Sequence, residues 1–131
     1  MKIDIFLPCR SSSIRIKNKN IKKFSNIKFG LFELKLSQLM LVKGIQNIIV
    51  STNDKKILDY LKKKIIKKLI IDKRPDYLCS SKVSTDELVK YVPNIIKSDH
   101  VLWTHVTSPF FQTKDYENAI KFYKKNIKRN D

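Results

Sequence analysis

Carboxylates are scarce in this chain: aspartate and glutamate together number 12 among 131 residues, against 28 lysines and arginines. The few there are fall mostly on the outer faces of expected helices, so a paired-carboxylate hydrolase of the glycosidase type is a poor fit. Cysteine is limited to Cys9 and Cys79, far apart and with no Cys or His at metal-ligand spacing. That pattern argues against a zinc site and against a disulfide framework, and both residues read as reduced small hydrophobes. Histidine occurs only at His100 and His105, and no serine can be placed beside either, which leaves no defensible Ser-His-Asp arrangement. No apolar run approaches the roughly 18–20 residues that cross a bilayer. The amino terminus lacks the longer apolar segment and small-residue cleavage site of a secretory signal. A membrane partner is not expected, and the expected location is cytoplasmic.

What is present fits one domain over residues 1–131, long enough to bury a core, and the 42% hydrophobic content argues against disorder. A net charge of +16 is of the kind that suggests nucleic acid or an anionic membrane surface. Lysine, isoleucine and asparagine are abundant together while glycine and alanine are scarce, a pattern that a nucleotide bias in the coding sequence produces. Lys62-Lys63-Lys64 and Lys67-Lys68 then read as solvated helix ends, without the interleaved aromatics of a single-strand binder. Nucleic acid is not expected as a partner.

Hydrophobic periodicity divides the chain into a repeated strand, loop and helix. Lys2–Pro8 is apolar on both faces apart from Asp4, as in a parallel strand covered on both sides. Over Phe29–Lys43 the spacing places Phe32, Leu36, Leu39 and Met40 on one helical stripe, which Gly44 ends. Ile45–Val50 is a second strand, closing in Ser51-Thr52-Asn53-Asp54. Asn53 or Asp54 can cap a helix carrying Ile57, Leu58, Leu61 and Ile65. Lys67–Asp72 is a third strand and Lys73–Val83 an irregular loop. Ser84-Thr85-Asp86-Glu87 has the form of a capping box ahead of Leu88, Val89, Val92, Ile95 and Ile96, with Pro93 kinking or dividing that helix. His100–Val106 is a fourth strand. Thr113 or Asp115 opens a last helix with Ala119, Ile120, Tyr123 and Ile127 inward.

Right-handed crossovers turn this order into a three-layer α/β/α fold with a mainly parallel sheet. In open α/β sheets the ligand sits outside the carboxyl ends of the strands. Four polar clusters fall there: Cys9–Asn20, Ser51–Asp54, Arg74–Thr85 and Thr107–Thr113. The first combines Arg10, Arg15, Lys17 and Lys19 with three serines and two asparagines, donors suited to a phosphate; the same loop also reads as a solvated surface segment. Trp103, Phe110 and Phe111 read as core and loop anchors and His100 as structural. His105 is either a functional group or an interior histidine with its hydrogen bonds satisfied. Asp54 either orients basic groups or caps its helix.

Four segments carry a resemblance. Pro8-Cys9-Arg10-Ser11-Ser12-Ser13-Ile14-Arg15-Ile16-Lys17-Asn18-Lys19-Asn20 resembles the A-R-G-G-S-K-R-I-P-x-K-N loop of the cytidylyltransferases that activate sialic acids. Ile49-Val50-Ser51-Thr52-Asn53-Asp54 is similar to their V-S-T-D-D strand end, Arg74-Pro75 through Ser84-Thr85 to R-P-x-x-L-A-x-D-x-x-S-T, and Val106-Thr107-Ser108-Pro109 to the Q-P-T-S-P turn. The four matches occur in order and cover nearly the whole chain.

The resemblance implies a Rossmann-like fold of the nucleotide-diphospho-sugar transferase type and a reaction in which a nonulosonic (sialic-acid-like) sugar takes CMP from CTP, releasing pyrophosphate. It implies that Arg10, Ser13 and Lys19 hold the triphosphate with Arg15 helping, Ser11 and Ser12 adding hydroxyls, and that Lys19 and Arg10 are catalytic through the charge they offset. Asn20 would hold the nucleoside sugar; Arg74, Ser80 and Ser81 would contact cytosine; His105, Thr107 and Ser108 would face the acceptor sugar. Magnesium is implied as cofactor, with its carboxylate ligands beyond the end of this chain and none within it. CTP and the sugar acid are the implied partners. Family members dimerise, through an arm not expected here. Ser11-Ser12 stands where the family has Gly-Gly, Ile14 where it has lysine, and His105-Val106 where it has Gln-Pro. The chain reads as the family's N-terminal part, C-terminally truncated, with activity on its own in question. The other readings are a non-catalytic nucleotide-binding remnant and a nucleotidyltransferase for another nucleotide or sugar.

Overall fold

The structure is a computed structural model that describes residues 2–9, 21, 27, 29–79 and 83–130, the side chains of 128–130 excepted. Among the described residues ten elements follow one another: β1 (Ile3–Pro8), α1 (Gly30–Met40), β2 (Asn47–Thr52), α2 (Lys55–Lys62), β3 (Leu69–Lys73), a 3-10 turn (Asp76–Leu78), α3 (Thr85–Tyr91), a second 3-10 turn (Val92–Asn94), β4 (His100–Trp103) and α4 (Thr113–Asn130). The strands form a four-stranded sheet in the order β3-β2-β1-β4, every pair parallel. This is the parallel α/β architecture that the repeated pattern anticipates.

Strand alternation explains how both faces come to be covered. Ile3, Ile5 and Leu7 of β1, with Ile48 and Val50 of β2, pack beneath α1, α2 and α4, where Phe32, Leu36, Leu39, Ile57, Leu61, Tyr116 and Ile120 are buried. Phe6 and Ile49 point the other way and meet Val92, with Ile95, Ile96 and Trp103 alongside. The chain moves outward from β1 to β3 and then jumps back past β1 to β4. Its crossing helix α3 lies on the face opposite α1 and α2, as a constant crossover hand requires. The strand order therefore reverses between β1 and β4, which locates the ligand crevice near Pro8 and Trp103.

Capping follows the sequence. The Asp54 carboxylate accepts from the Lys56 N–H at 2.9 Å and Ser84 Oγ accepts from the Glu87 N–H at 3.2 Å. Asp54 is thus a cap. Asp115 accepts from the Gln112 N–H at 2.8 Å at the start of α4. Pro93 divides its helix as expected, α3 passing into the 3-10 turn Val92–Asn94. Gly44, with φ of 88°, takes the left-handed conformation that lets the chain leave α1 for β2.

Several expectations are corrected. Met40 is 45% exposed and does not lie on the buried stripe of α1, which ends at Met40 and not at Lys43. Ile65 is fully exposed because α2 stops at Lys62, before the fourth position of its stripe. The fourth strand ends at Trp103, three residues short of Val106, and Tyr123 and Phe110 are exposed. Phe110 therefore anchors nothing.

Candidate functional site

The carboxyl rim of the sheet holds a cavity of about 680 Å³ whose walls include Pro8, Arg74, Ser84, Thr85, Trp103 and His105. These come from the ends of β1, β3 and β4 and the start of α3. The cavity lies at the strand-order reversal. A second cavity of about 350 Å³ is bordered by Thr104, Ser108, Phe111 and Tyr116, and Trp103 and His105 line both.

Arg74 is the buried cation of the site. Its backbone N–H donates to the Thr52 oxygen at 2.9 Å, and its Nη2 donates to the Ser51 oxygen at 3.2 Å. The side chain is only 5% exposed, and its Nε has no hydrogen-bond partner. The indole Nε1 of Trp103 is likewise buried and unpaired, with the ring edge-on to Phe6 at 4.8 Å between centroids. Two residues of one cavity wall thus each carry a buried N–H without an acceptor, and an unmet buried donor costs about 1–3 kcal/mol. Trp103 was expected as a core anchor, and it is that on one side and a cavity wall on the other.

The Ser51–Asp54 cluster is spent on structure. Ser51 and Thr52 are fully buried; Ser51 Oγ donates to Asp72 at 2.7 Å and Thr52 Oγ1 accepts from the Asp54 N–H at 3.0 Å. The other side of Asp72 accepts from the Tyr91 hydroxyl at 2.9 Å, tying α3 to β3. Burial, with that hydrogen bond, pushes the Tyr91 hydroxyl up to about 12. Cys79 lies half-buried on the cavity wall; burial raises its thiol, against the lowering pull of Arg74.

The Thr107-Ser108-Pro109 turn is held from beneath by α1. Lys35 is fully buried, and its Nζ donates to the Ser108 oxygen at 2.7 Å, the Phe111 oxygen at 2.9 Å and the Tyr116 hydroxyl at 2.8 Å. Desolvation lowers its pKa to about 8, partly offset by Asp115. Gln38, one turn on, donates Nε2 to the Pro109 oxygen at 2.8 Å and accepts on its own carbonyl from Thr113 Oγ1 at 2.6 Å.

Of the residues expected at the site, Arg74 and His105 are brought together on the larger cavity and Ser108 borders the smaller one, while Thr107 is exposed. His105 is exposed, which removes its reading as an interior histidine. Arg10, Ser11, Ser12, Ser13, Arg15, Lys19, Asn20, Ser80 and Ser81 lie outside the described residues. His100 pairs with the Tyr123 hydroxyl at 2.8 Å and is structural. Lys35 was missed by the sequence reading, although it occupies the i+3 position of the stripe Phe32, Leu36, Leu39, a lysine among the inward positions. Among the described residues no three His, Cys, Asp or Glu side chains gather to hold a metal. Among them, too, no helix is long and apolar enough to cross a membrane.

The cytidylyltransferase family model matches residues 5–130. The chain belongs to the cytidylyltransferase family. No curated protein matches the sequence. Among solved structures, the cytidylyltransferase fold is shared with CMP:2-keto-3-deoxy-manno-octonic acid synthetase complexed with CTP, at a TM-score of 0.71 and 18% identity over 95% of this chain and 48% of that one. It is shared also with a cytidylyltransferase from Leptospira borgpetersenii serovar Hardjo-bovis, at a TM-score of 0.63 and 17% identity over 93% of this chain and 48% of that one. The chain thus spans about half the length of these cytidylyltransferase structures.

Proposed function

We propose that residues 1–131 form a single nucleotide-binding domain that binds CTP in the larger cavity and a nonulosonic sugar acid in the smaller one, for transfer of CMP to the sugar. The observation that carries this reading is Arg74, a nearly buried guanidinium at the cavity wall held in place by its bond to the Ser51 oxygen. A guanidinium so placed suits an electron-rich acceptor such as the carbonyl edge of cytosine. Family membership and a structural neighbour complexed with CTP support the nucleotide. That Trp103 and His105 line both cavities supports two substrates bound near one another.

In the reaction, a sugar hydroxyl gives up its proton to solvent and its oxygen bonds to the α-phosphorus of CTP as the bond to the bridging oxygen breaks and pyrophosphate leaves. Positioning and charge neutralisation are the protein's contribution to such a transfer. Arg10, Ser13, Arg15 and Lys19 serve the triphosphate, with Ser11 and Ser12; Asn20 serves the ribose, and Ser80 and Ser81 serve the base beside Arg74. His105, Thr107 and Ser108 face the sugar acid. Nucleic acid is not a partner in this reading.

Pyrophosphate release with CTP, magnesium salt and a set of sugar acids tests it. Turnover with N-acetylneuraminic acid above that with 2-keto-3-deoxy-manno-octonic acid supports the nine-carbon acceptor, and the reverse order replaces it by the eight-carbon one. CTP binding without turnover by any sugar acid leaves a nucleotide-binding remnant instead.

A further inference from the structure

The acceptor end of the proposed site rests on a turn with no regular structure of its own between β4 and α4. Within residues 104–112 the backbone bonds are Ser108 N–H to the His105 oxygen at 3.3 Å and Phe111 N–H to the Ser108 oxygen at 3.2 Å, both long. Such a segment is held by whatever its carbonyls find. Here Ser108 and Phe111 both direct their carbonyl oxygens at one ammonium, that of Lys35.

Lys35 has an unusual position for a lysine. It is fully buried, its third donor reaches the Tyr116 hydroxyl, and the ammonium lies 4.8 Å from the Tyr116 ring centroid. The Tyr116 hydroxyl in turn pairs with Thr104 Oγ1 at 2.5 Å. One cation therefore links α1, the turn, α4 and the residue that follows β4. Ser108, Phe111, Tyr116 and Thr104, the groups it reaches directly or through Tyr116, all border the smaller cavity. Burying an ammonium is costly, and a leucine would fill this stripe position at lower cost for packing alone.

We infer that Lys35 is a positioning residue for the acceptor: it sets the shape of the smaller cavity by fixing the carbonyls of Ser108 and Phe111, and none of the three groups it bonds lines the nucleotide cavity. The inference rests on the reading of the smaller cavity as the sugar-acid site. Three ammonium donors meeting three acceptors is a fully satisfied arrangement, and neither Met nor Arg reproduces it. Methionine matches the length without donors. Arginine keeps the charge but presents a planar fork in place of a compact cation.

The test compares wild type, Lys35→Met and Lys35→Arg in the full chain. Affinity for CTP is measured by calorimetry, and affinity for N-acetylneuraminic acid and for 2-keto-3-deoxy-manno-octonic acid by ligand-observed NMR with CTP present. Amide hydrogen exchange is followed over residues 104–113. Lys35→Met is expected to weaken sugar-acid binding about tenfold or more, leave CTP affinity within twofold, and raise exchange in the turn above that in β1 and β2. Lys35→Arg is expected to recover part of the sugar-acid affinity. Equal weakening of CTP and sugar acid, or unchanged sugar-acid binding in both variants, overturns the inference while wild-type binding keeps the functional reading. If Lys35→Met does not fold, the Lys35→Arg comparison decides by the same two affinities. A wild type that binds CTP but neither sugar acid removes the acceptor reading and this inference with it.

Discussion

Arg74 donates from Nη2 to the main-chain oxygen of Ser51 at 3.2 Å, so the guanidinium that follows β3 is suspended from the carboxyl end of β2. The bond turns an arginine that would otherwise be solvated into a fixed, nearly buried cation beside the switch point of the sheet. Its Nε–H is buried and has no acceptor.

Replacing that cation is therefore expected to cost ligand affinity more than fold stability. Hydrogen bonds to charged groups are worth about 1.5–3 kcal/mol, so Arg74→Gln should weaken CTP by roughly 10- to 150-fold at that conversion. Calorimetry on the variant checks it. An affinity within twofold of wild type would detach Arg74 from the nucleotide.

At the other end of β1 the carboxylate of Asp4 is fully buried and accepts from the Lys97 N–H at 2.6 Å, Ser98 Oγ at 2.8 Å and Asn47 Nδ2 at 3.2 Å. Asp4→Ala strands those donors and is expected to lower unfolding free energy by about 2–4 kcal/mol, given roughly 1–3 kcal/mol for each unmet buried group with partial relaxation. Urea denaturation reads this out. CTP affinity of the folded fraction should not change, because Asp4 lies at the amino end of the strand and the site at the carboxyl end.

Lys35 gives stability a pH dependence of definite sign. Its native pKa is lowered to about 8 from 10.5. Between those values the unfolded chain binds a proton that the folded chain has released, so unfolding free energy rises with pH across that window. Below pH 8 the desolvation penalty is fully present. Wild type should gain stability relative to Lys35→Met between pH 7.5 and about 10, by denaturant titration at each pH. A difference that is flat with pH would contradict the burial of a charged ammonium.

Tyr91 carries the opposite sign. Its hydroxyl donates to Asp72 and is pushed up to about 12, so the folded state retains a proton that the unfolded state loses, and stability falls as pH rises from 10 towards 12. Tyr91→Phe should take one tyrosine out of the late part of an ultraviolet titration, a part to which Tyr60 and Tyr116, both raised by burial, also contribute. It should also cost about 1 kcal/mol near neutral pH for the lost hydrogen bond.

Much of this architecture could be read from the residues. The doubled apolar pattern of Ile3–Leu7 implies a strand covered on both faces, and Ser84 with Glu87 marks the start of α3. The carboxyl-rim placement of the polar loops then follows from topology. What could not be read depended on distant partners. Met40 has the right spacing to be buried yet stays 45% exposed, whereas Lys35 looks solvated until carbonyls more than 70 residues later close on it. Ser51 and Thr52 seemed available to a ligand because their acceptors and donors, Asp72 on β3 and the Asp54 N–H, become neighbours only when the sheet forms and α2 is capped. The unpaired indole of Trp103 was hidden for the same reason: a strand residue's outlook is set by the elements on either side.

The most direct measurement is calorimetric titration of the 131-residue chain with CTP, and with UTP, ATP and GTP in parallel. Saturable heat with CTP, at an affinity at least tenfold above the other three and diminished by Arg74→Gln, is the predicted result. No heat with CTP, or equal affinity for all four nucleotides, would contradict the account.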